Sequence, residues 1–276
     1  MCRAIHLNKK TKLLSLNLIK KTICEFATMG ILAVSFTGGE VFLYKNLLNI
    51  LKLLRKYRIM VNINTNGLLL PIYWNEYRRH VYSYSIGINA LDKTELQKLC
   101  VFLQKIKRQK NRPKIIIRIV INNKNIFQLF NLQKTLKPYC DWILYQPIHK
   151  KITANDYIGN GQKDDLLSFE NIKTLSALKN NTKDKTLAAY ISYMKYKKKY
   201  SCNAGVFTLF IDPFGNIYNC CHMLAKTGKI NFSCSVRDSY KKSLLNRKHT
   251  ILRSNNCKKF CFTNDRRLDF YLPFRR

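Results

Sequence analysis

The feature that most constrains this fold is an alternation between residues 13 and 150. Short apolar runs alternate there with longer amphipathic ones. Ile31–Phe36, Ile59–Asn64, Tyr82–Ile88, Lys114–Ile121 and Trp142–Gln146 read as strands, the fourth strongly β-branched. Leu14–Met29, Asn46–Tyr57, a short segment after Pro71, Thr94–Lys107 and Ile126–Leu136 read as helices. Ser15 is placed to cap the first helix, and Pro71 suits a first helical position. Such alternation calls for parallel strands joined by crossover helices. The strands are expected to be apolar on both faces, as in a sheet covered on both sides. With 276 residues the chain can bury a full-sized core.

In parallel sheets, ligands bind beyond the carboxyl ends of the strands. The first strand ends there in Thr37-Gly38-Gly39-Glu40. Glycines let backbone groups approach a ligand without obstruction, and Glu40 can accept from a cationic amine. A tight strand–helix turn explains the same residues. The other strand ends carry Thr65-Asn66-Gly67, Tyr84-Ser85-Ile86-Gly87, Arg118, and Gln146-Pro147. Ser85 can simply satisfy backbone, and Arg118 can be a structural ion-pair partner. Together these groups outline a pocket suited to an amino acid joined to a nucleoside.

Beyond residue 150 the pattern changes. Asn155–Asp165 is a polar loop, and Ser168–Leu178 and Thr186–Lys197 read as helices. From Ser201 onward the segments read as short and Cys-rich. Val206–Ile211 and Ile217–Asn219 are expected to pair as a hairpin around the turn Asp212-Pro-Phe-Gly215. The expected organisation is thus 1–150, a helical linker at 151–200, and a small α+β unit at 201–276.

Ten cysteines are too many to ignore in a chain without a secretory signal, where metal or iron–sulfur ligation is the live alternative to disulfides. Cys24, Cys100 and Cys140 lie in or beside periodic apolar segments and read as small buried hydrophobes. Cys202, Cys220, Cys221, Cys234, Cys257 and Cys261 crowd the last quarter. Lys and Arg number 50 against 15 Asp and Glu, a net charge of +35. That excess fits a polyanion-binding protein. It fits better a lysine-coated surface in a chain rich in Lys, Asn and Ile, because the basic residues are spread along the whole sequence with no compact arginine tract. No apolar run is long enough to span a bilayer, so the expected location is cytoplasmic.

The run from Cys2 through Gly38-Gly39-Glu40 to Asn66-Gly67 and Ser85 resembles the core of radical S-adenosylmethionine (SAM) enzymes. The resemblance implies an α/β fold: a partial (β/α) barrel lacking its first strand, plus a small Cys-rich α+β C-terminal domain. It implies that Gly38, Gly39 and Glu40 hold the SAM methionyl amine, that Asn66 and Ser85 lie near the ribose, and that Arg118 lies near the methionyl carboxylate. Cys2 would be the last cysteine of the family's CxxxCxxC, whose first two members have no counterpart here. A late start codon, a frameshift or a degenerate copy would each explain that. Val41 replaces the usual proline, and Gly87 stands where many relatives carry aspartate.

Cys202-Asn-Ala-Gly205, followed by Gly215 and Cys220, resembles the SPASM or twitch extension of the same enzymes. That resemblance implies an auxiliary iron–sulfur cluster on Cys202, Cys220, Cys257 and Cys261, with CxxxC in place of the usual CxxC. A zinc ribbon is the alternative. The implied activity is reductive cleavage of SAM to start hydrogen abstraction from a peptide or small-molecule substrate, with a flavodoxin or ferredoxin as electron donor. The competing class is a basic protein that binds zinc and nucleic acid.

Overall fold

The structure, a computed structural model, describes residues 14–88, 91–148, 167–182, 185–196, 204–220 and 226–250. Five strands form one parallel sheet in the order β1-β2-β3-β4-β5. They are β1 (Ala33–Phe36), β2 (Met60–Thr65), β3 (Ser83–Gly87), β4 (Lys114–Ile121) and β5 (Trp142–Pro147). The helices between them are α2 (Leu47–Lys56), α3 (Leu70–Tyr77), α4 (Lys93–Lys107) and α5 (Leu129–Leu136), with α1 (Leu16–Thr28) ahead of β1. Each strand pairs with the next in sequence. Right-handed crossovers that always step the same way put their helices on one face.

Register shows which residues face those helices. Val61, Ile63, Tyr84, Ile86, Ile115, Ile117, Ile119, Ile121 and Tyr145 share one face and are all buried. The opposite face carries Ser35, Asn62, Asn64, Ser83, Ser85, Gly87, Arg118 and Gln146. The expectation of strands apolar on both faces is therefore corrected: β1 to β3 are polar on one face. β4, with Ile116 and Val120, and β5, with Trp142 and Leu144, keep an apolar character on both sides.

Helix α6 (Ile172–Thr182) and α7 (Lys185–Tyr196) pair with each other, and α7 packs on β5. Leu175, Leu178 and Leu187 join the main core. A second sheet follows, antiparallel, in the order β6 (Phe210–Ile211), β7 (Asn216–Tyr218), β8 (Lys226–Lys229). The expected hairpin is present, with a shorter first strand. Its turn is built by Asp212, whose Oδ1 accepts from the Phe214 and Asn216 N–H groups at 2.9 and 2.8 Å. Gly215 adopts φ +82°, and a Cβ there would lie 2.8 Å from Leu14 Cδ2.

The expectation of only short segments after residue 201 fails at α8 (Val236–Thr250), a 15-residue helix. Its start is capped from far away in sequence: Glu25 Oε2 accepts from the Val236 N–H at 2.6 Å. The other oxygen, Oε1, pairs with Lys21 Nζ at 2.6 Å, and Lys21 also donates to the Asn231 carbonyl. Helix α1 thus serves two cores. Ile23 belongs to the first, Leu14, Leu18 and Met29 pack in the second, and Phe26 touches both.

Burial pushes the Glu25 carboxyl up, but Lys21 and the Val236 N–H outweigh it and hold the group below the usual carboxylate range. The stabilisation it brings is complete above its unfolded value of about 4.3 and fades as pH falls through the lower native value. Glu25→Ala should cost about 1–2 kcal/mol in urea unfolding, the size of a lost helix cap. The protection factor of the Val236 amide should fall in that variant at neutral pH, and in the wild type only on acidification.

Candidate cofactor site at the carboxyl rim

After β1 the chain crosses the rim as Thr37-Gly38-Gly39 and turns at Glu40 into a single 3₁₀ turn, Val41–Leu43. Phe42 fixes that turn. It is buried, with its ring stacked at 5.2 Å on Tyr73 and at 5.7 Å on Tyr77. Glu40 ties the turn to the end of β2. Oε1 accepts from the Phe42 N–H at 3.3 Å and Oε2 from the Asn66 N–H at 3.1 Å, while Thr65 Oγ1 lies 2.9 Å from both oxygens. A carboxylate has about four lone-pair sites, and these three donors leave room for one more. Thr65 Oγ1 in turn accepts from the Gly67 N–H at 3.0 Å.

The glycines around the rim have different reasons to be glycine. Gly67 has φ +85°, and a Cβ would lie 2.8 Å from Ile86 Cγ2, so the fold itself requires it. Gly38 has φ +143°, a backbone that side chains rarely adopt. Gly39 has an ordinary φ, and a Cβ would meet nothing within 4 Å. Gly87 also has an ordinary φ, and its nearest Cβ contact is 3.9 Å away. Among the described glycines, only Gly39 and Gly87 have neither a strained backbone nor a crowded neighbour. Nothing in the described chain explains the missing side chain at either position.

The polar face of the sheet runs down from this rim. Asn62 Nδ2 donates to Ser35 Oγ at 2.8 Å, and Ser83 Oγ donates to Asn62 Oδ1 at 2.8 Å. Asn64 Nδ2 donates to Ser35 Oγ at 2.9 Å and to the Phe36 carbonyl at 3.0 Å. Asn64 Oδ1 and Ser85 Oγ are buried and have no partner, and their residues stand opposite each other across β2 and β3. Such orphaned atoms are uncommon and ask for an explanation. Arg118 is opposite Gly87, and its guanidinium donates to Gln146 Oε1 at 3.4 Å. Asn66 Oδ1 is used locally, accepting from the Leu68 N–H at 2.9 Å.

Of the expected site residues, Ser85 and Arg118 share the polar face, and Gly38, Gly39, Glu40 and Asn66 share the rim. Ser85 does not serve the backbone. Sequence reasoning missed Ser35, Asn62, Asn64 and Ser83, although period-two polarity in Met60-Val-Asn-Ile-Asn-Thr65 is a signal for a half-polar strand.

Cys220 is buried at the end of β7. Cys2, Cys202, Cys257 and Cys261 lie outside the described residues. Among the described residues, no three His, Cys, Asp or Glu side chains gather as a metal site. Gly205, with φ +78°, packs against Asn219, the residue before Cys220. Ser243 of α8 donates to Asn219 Oδ1 at 2.6 Å. Cys100 and Cys140 pack on the main core as expected, and burial pushes the Cys140 thiol up to about 12. Cys24 corrects the expectation: it is exposed, with Sγ 3.3 Å from the Tyr57 hydroxyl, because Thr22 and Ile23 take the buried side of α1.

Residues 1–127 match the sequence profile of the Radical SAM superfamily. The fold is similar to Streptococcus suis SuiB. Against SuiB bound to the precursor peptide SuiA, the TM-score is 0.58 at 16% identity, covering 81% of this chain and 57% of that one. Against SuiB bound to S-adenosylmethionine, the TM-score is 0.54 at 13% identity, covering 88% and 64%. The chain thus spans less than two thirds of SuiB's length. A search of curated proteins finds no match. No helix among the described residues is long and apolar enough to cross a membrane.

Thr65→Val removes the donor to Glu40 and the acceptor for Gly67. It should destabilise by about 1–3 kcal/mol in urea unfolding, the cost of leaving a partly buried polar group unpaired. Gly67→Ala should cost at least as much, through its positive φ and the clash with Ile86. The match to the Radical SAM superfamily covers residues 1–127, the stretch that carries β1 to β4 and the Gly-Gly-Glu rim.

Proposed function

We propose that the carboxyl rim binds S-adenosylmethionine, and that the protein acts as a radical SAM enzyme on a peptide or small-molecule substrate. The observation that carries this reading is Gly39, an unstrained glycine facing open space at the end of β1. Backbone groups there can approach an amino-acid ligand closely. Glu40 would use its one remaining acceptor site for the methionyl amine. Arg118 would face the carboxylate, with Gly87 leaving it room. Ser85, Asn66 and the orphaned Asn64 Oδ1 would meet the ribose hydroxyls, exchanging unpaired buried atoms for paired ones.

The chemistry that SAM and a reduced cluster supply in this superfamily is carbon–sulfur cleavage that starts hydrogen abstraction. The residues of this chain bind, orient and exclude water. Cys2 would be one ligand of the core cluster. Cys220 with Cys202, Cys257 and Cys261 would hold an auxiliary cluster. A Cβ at Gly205 would lie 3.3 Å from Asn219 Cγ; Gly205 is three residues after Cys202 and Asn219 one before Cys220, which supports a shared site for the two cysteines. SuiB was solved with its precursor peptide, which favours a peptide substrate for the proposed activity, and the +35 charge favours an acidic one. A flavodoxin or ferredoxin would supply the electron.

The competing reading, a zinc- and nucleic-acid-binding protein, draws on the charge and predicts zinc without sulfide. Equilibrium dialysis of the anaerobically purified chain with SAM tests the proposal. Wild type should bind; Gly39→Val and Ser85→Ala should each weaken binding about tenfold, or 1.4 kcal/mol, with unchanged unfolding midpoints. Equal binding by wild type and variants would sink the reading. Iron with acid-labile sulfide supports the clusters, and zinc alone supports the competitor.

A further inference from the structure

At the other end of the same strands lies a cleft of about 230 Å³. Its lining is cationic: Arg55 and Arg58 at the end of α2, Arg79 and His80 after α3, with Tyr82 and the first residues of β2 as floor and wall. Cations do favour helix carboxyl ends, and that accounts for Arg55 and Lys56 in the last turn of α2. It does not account for Arg58, Arg79 and His80 lining the same depression.

Three further observations point to a missing partner. Among the described residues, the ion pairs are Lys21–Glu25, Arg112–Asp141 and Lys114–Asp141, and none involves the cleft. The one hydrogen bond from a cleft guanidinium, Arg55 to the Arg79 carbonyl at 2.9 Å, holds two cationic segments together instead of neutralising either. His80 Nδ1 is buried without a partner. The charges facing that imidazole are Arg55, Lys52 and Arg79; burial first, then these cations, hold its pKa below the usual histidine value. The φ of +57° at Arg58 has a local cause, the stop of α2, where the Arg58 N–H bonds to the Arg55 carbonyl and the Ile59 N–H to the Leu54 carbonyl.

We propose that this cleft is an anion site for a phosphate-bearing ligand. The guanidinium groups of Arg55, Arg58 and Arg79 match phosphate oxygens in geometry and charge. His80 would take up a proton from solvent as the anion binds beside it, and would then add a donor. The volume falls below the 300–1,000 Å³ typical of drug-sized ligands, so it fits a phosphate group with a small substituent. The site lies at the amino ends of β2 and β3 and is independent of the rim reading.

The test titrates the full chain with inorganic phosphate, glycerol 3-phosphate and, as a control, chloride at matched ionic strength. Binding is read by calorimetry and by the His80 imidazole resonance. Phosphate and glycerol 3-phosphate should bind saturably and raise the His80 pKa. The double variant Arg58→Asn/Arg79→Gln should lose at least tenfold in affinity; asparagine tolerates the left-handed backbone at position 58, and both side chains are exposed, so folding is preserved. A His80 resonance that responds to chloride and phosphate alike would overturn the proposal. So would equal phosphate affinity in the double variant. A single-stranded oligonucleotide serves as a further arm. If it alone binds, with a steep salt dependence that the double variant leaves unchanged, the general basic surface is responsible and the cleft is not.

Discussion

Everything in this molecule depends on the sheet being wound in one direction. Because each strand pairs with its successor, the crossovers share a hand and the helices between the strands cover one face. That face is apolar from β2 to β5 and supplies most of the core. The other face is relieved of the need to be apolar, and in β1 to β3 it carries Ser and Asn linked across strands. A sheet that instead alternated its winding direction would bury both faces and have nowhere to put Asn62 and Asn64.

The rim adds a second constraint. Glycine-rich loops lose much entropy on ordering, and the one between β1 and the 3₁₀ turn is held from both sides. Phe42 anchors it among stacked tyrosines, and Glu40 bonds it to Thr65 and Asn66. The two glycines are thus positioned with open space where a Cβ would stand. That combination, a fixed backbone with empty space above it, is what a ligand cradle requires.

Much of the sheet was legible from the sequence because its signals are local. Lys114-Ile-Ile-Ile-Arg-Ile-Val-Ile121 reads as a strand from any window, and the glycines at the rim are punctuation. The polar face was obscured because β4 is apolar on both sides and invited the same reading for its neighbours; the asparagines of β2 then passed unnoticed. Helix α8 was missed for a different reason. Its residues are mostly polar and its N-terminal acceptor is Glu25, 211 positions away. No local window contains that cap. The buried side of α1 was misjudged at Cys24 because a helix that serves two cores has two apolar stripes, and the position between them can point outward. The cysteines expected to join Cys220 lie outside the described residues, so the ligand set rests on the resemblance.

The double duty of α1 has a consequence for synthesis. Lys21 and the Asn231 carbonyl that it meets are 210 residues apart. At typical elongation rates of about 5–20 residues per second, roughly 10–40 s pass between the two leaving the ribosome. During that time the main core can form, but Leu14, Leu18 and Met29 have no cover. The nascent chain therefore displays an apolar strip on its first described helix until its last described elements arrive. The final docking step joins the first described helix to the last described elements, and it is there that a chaperone would have something to hold.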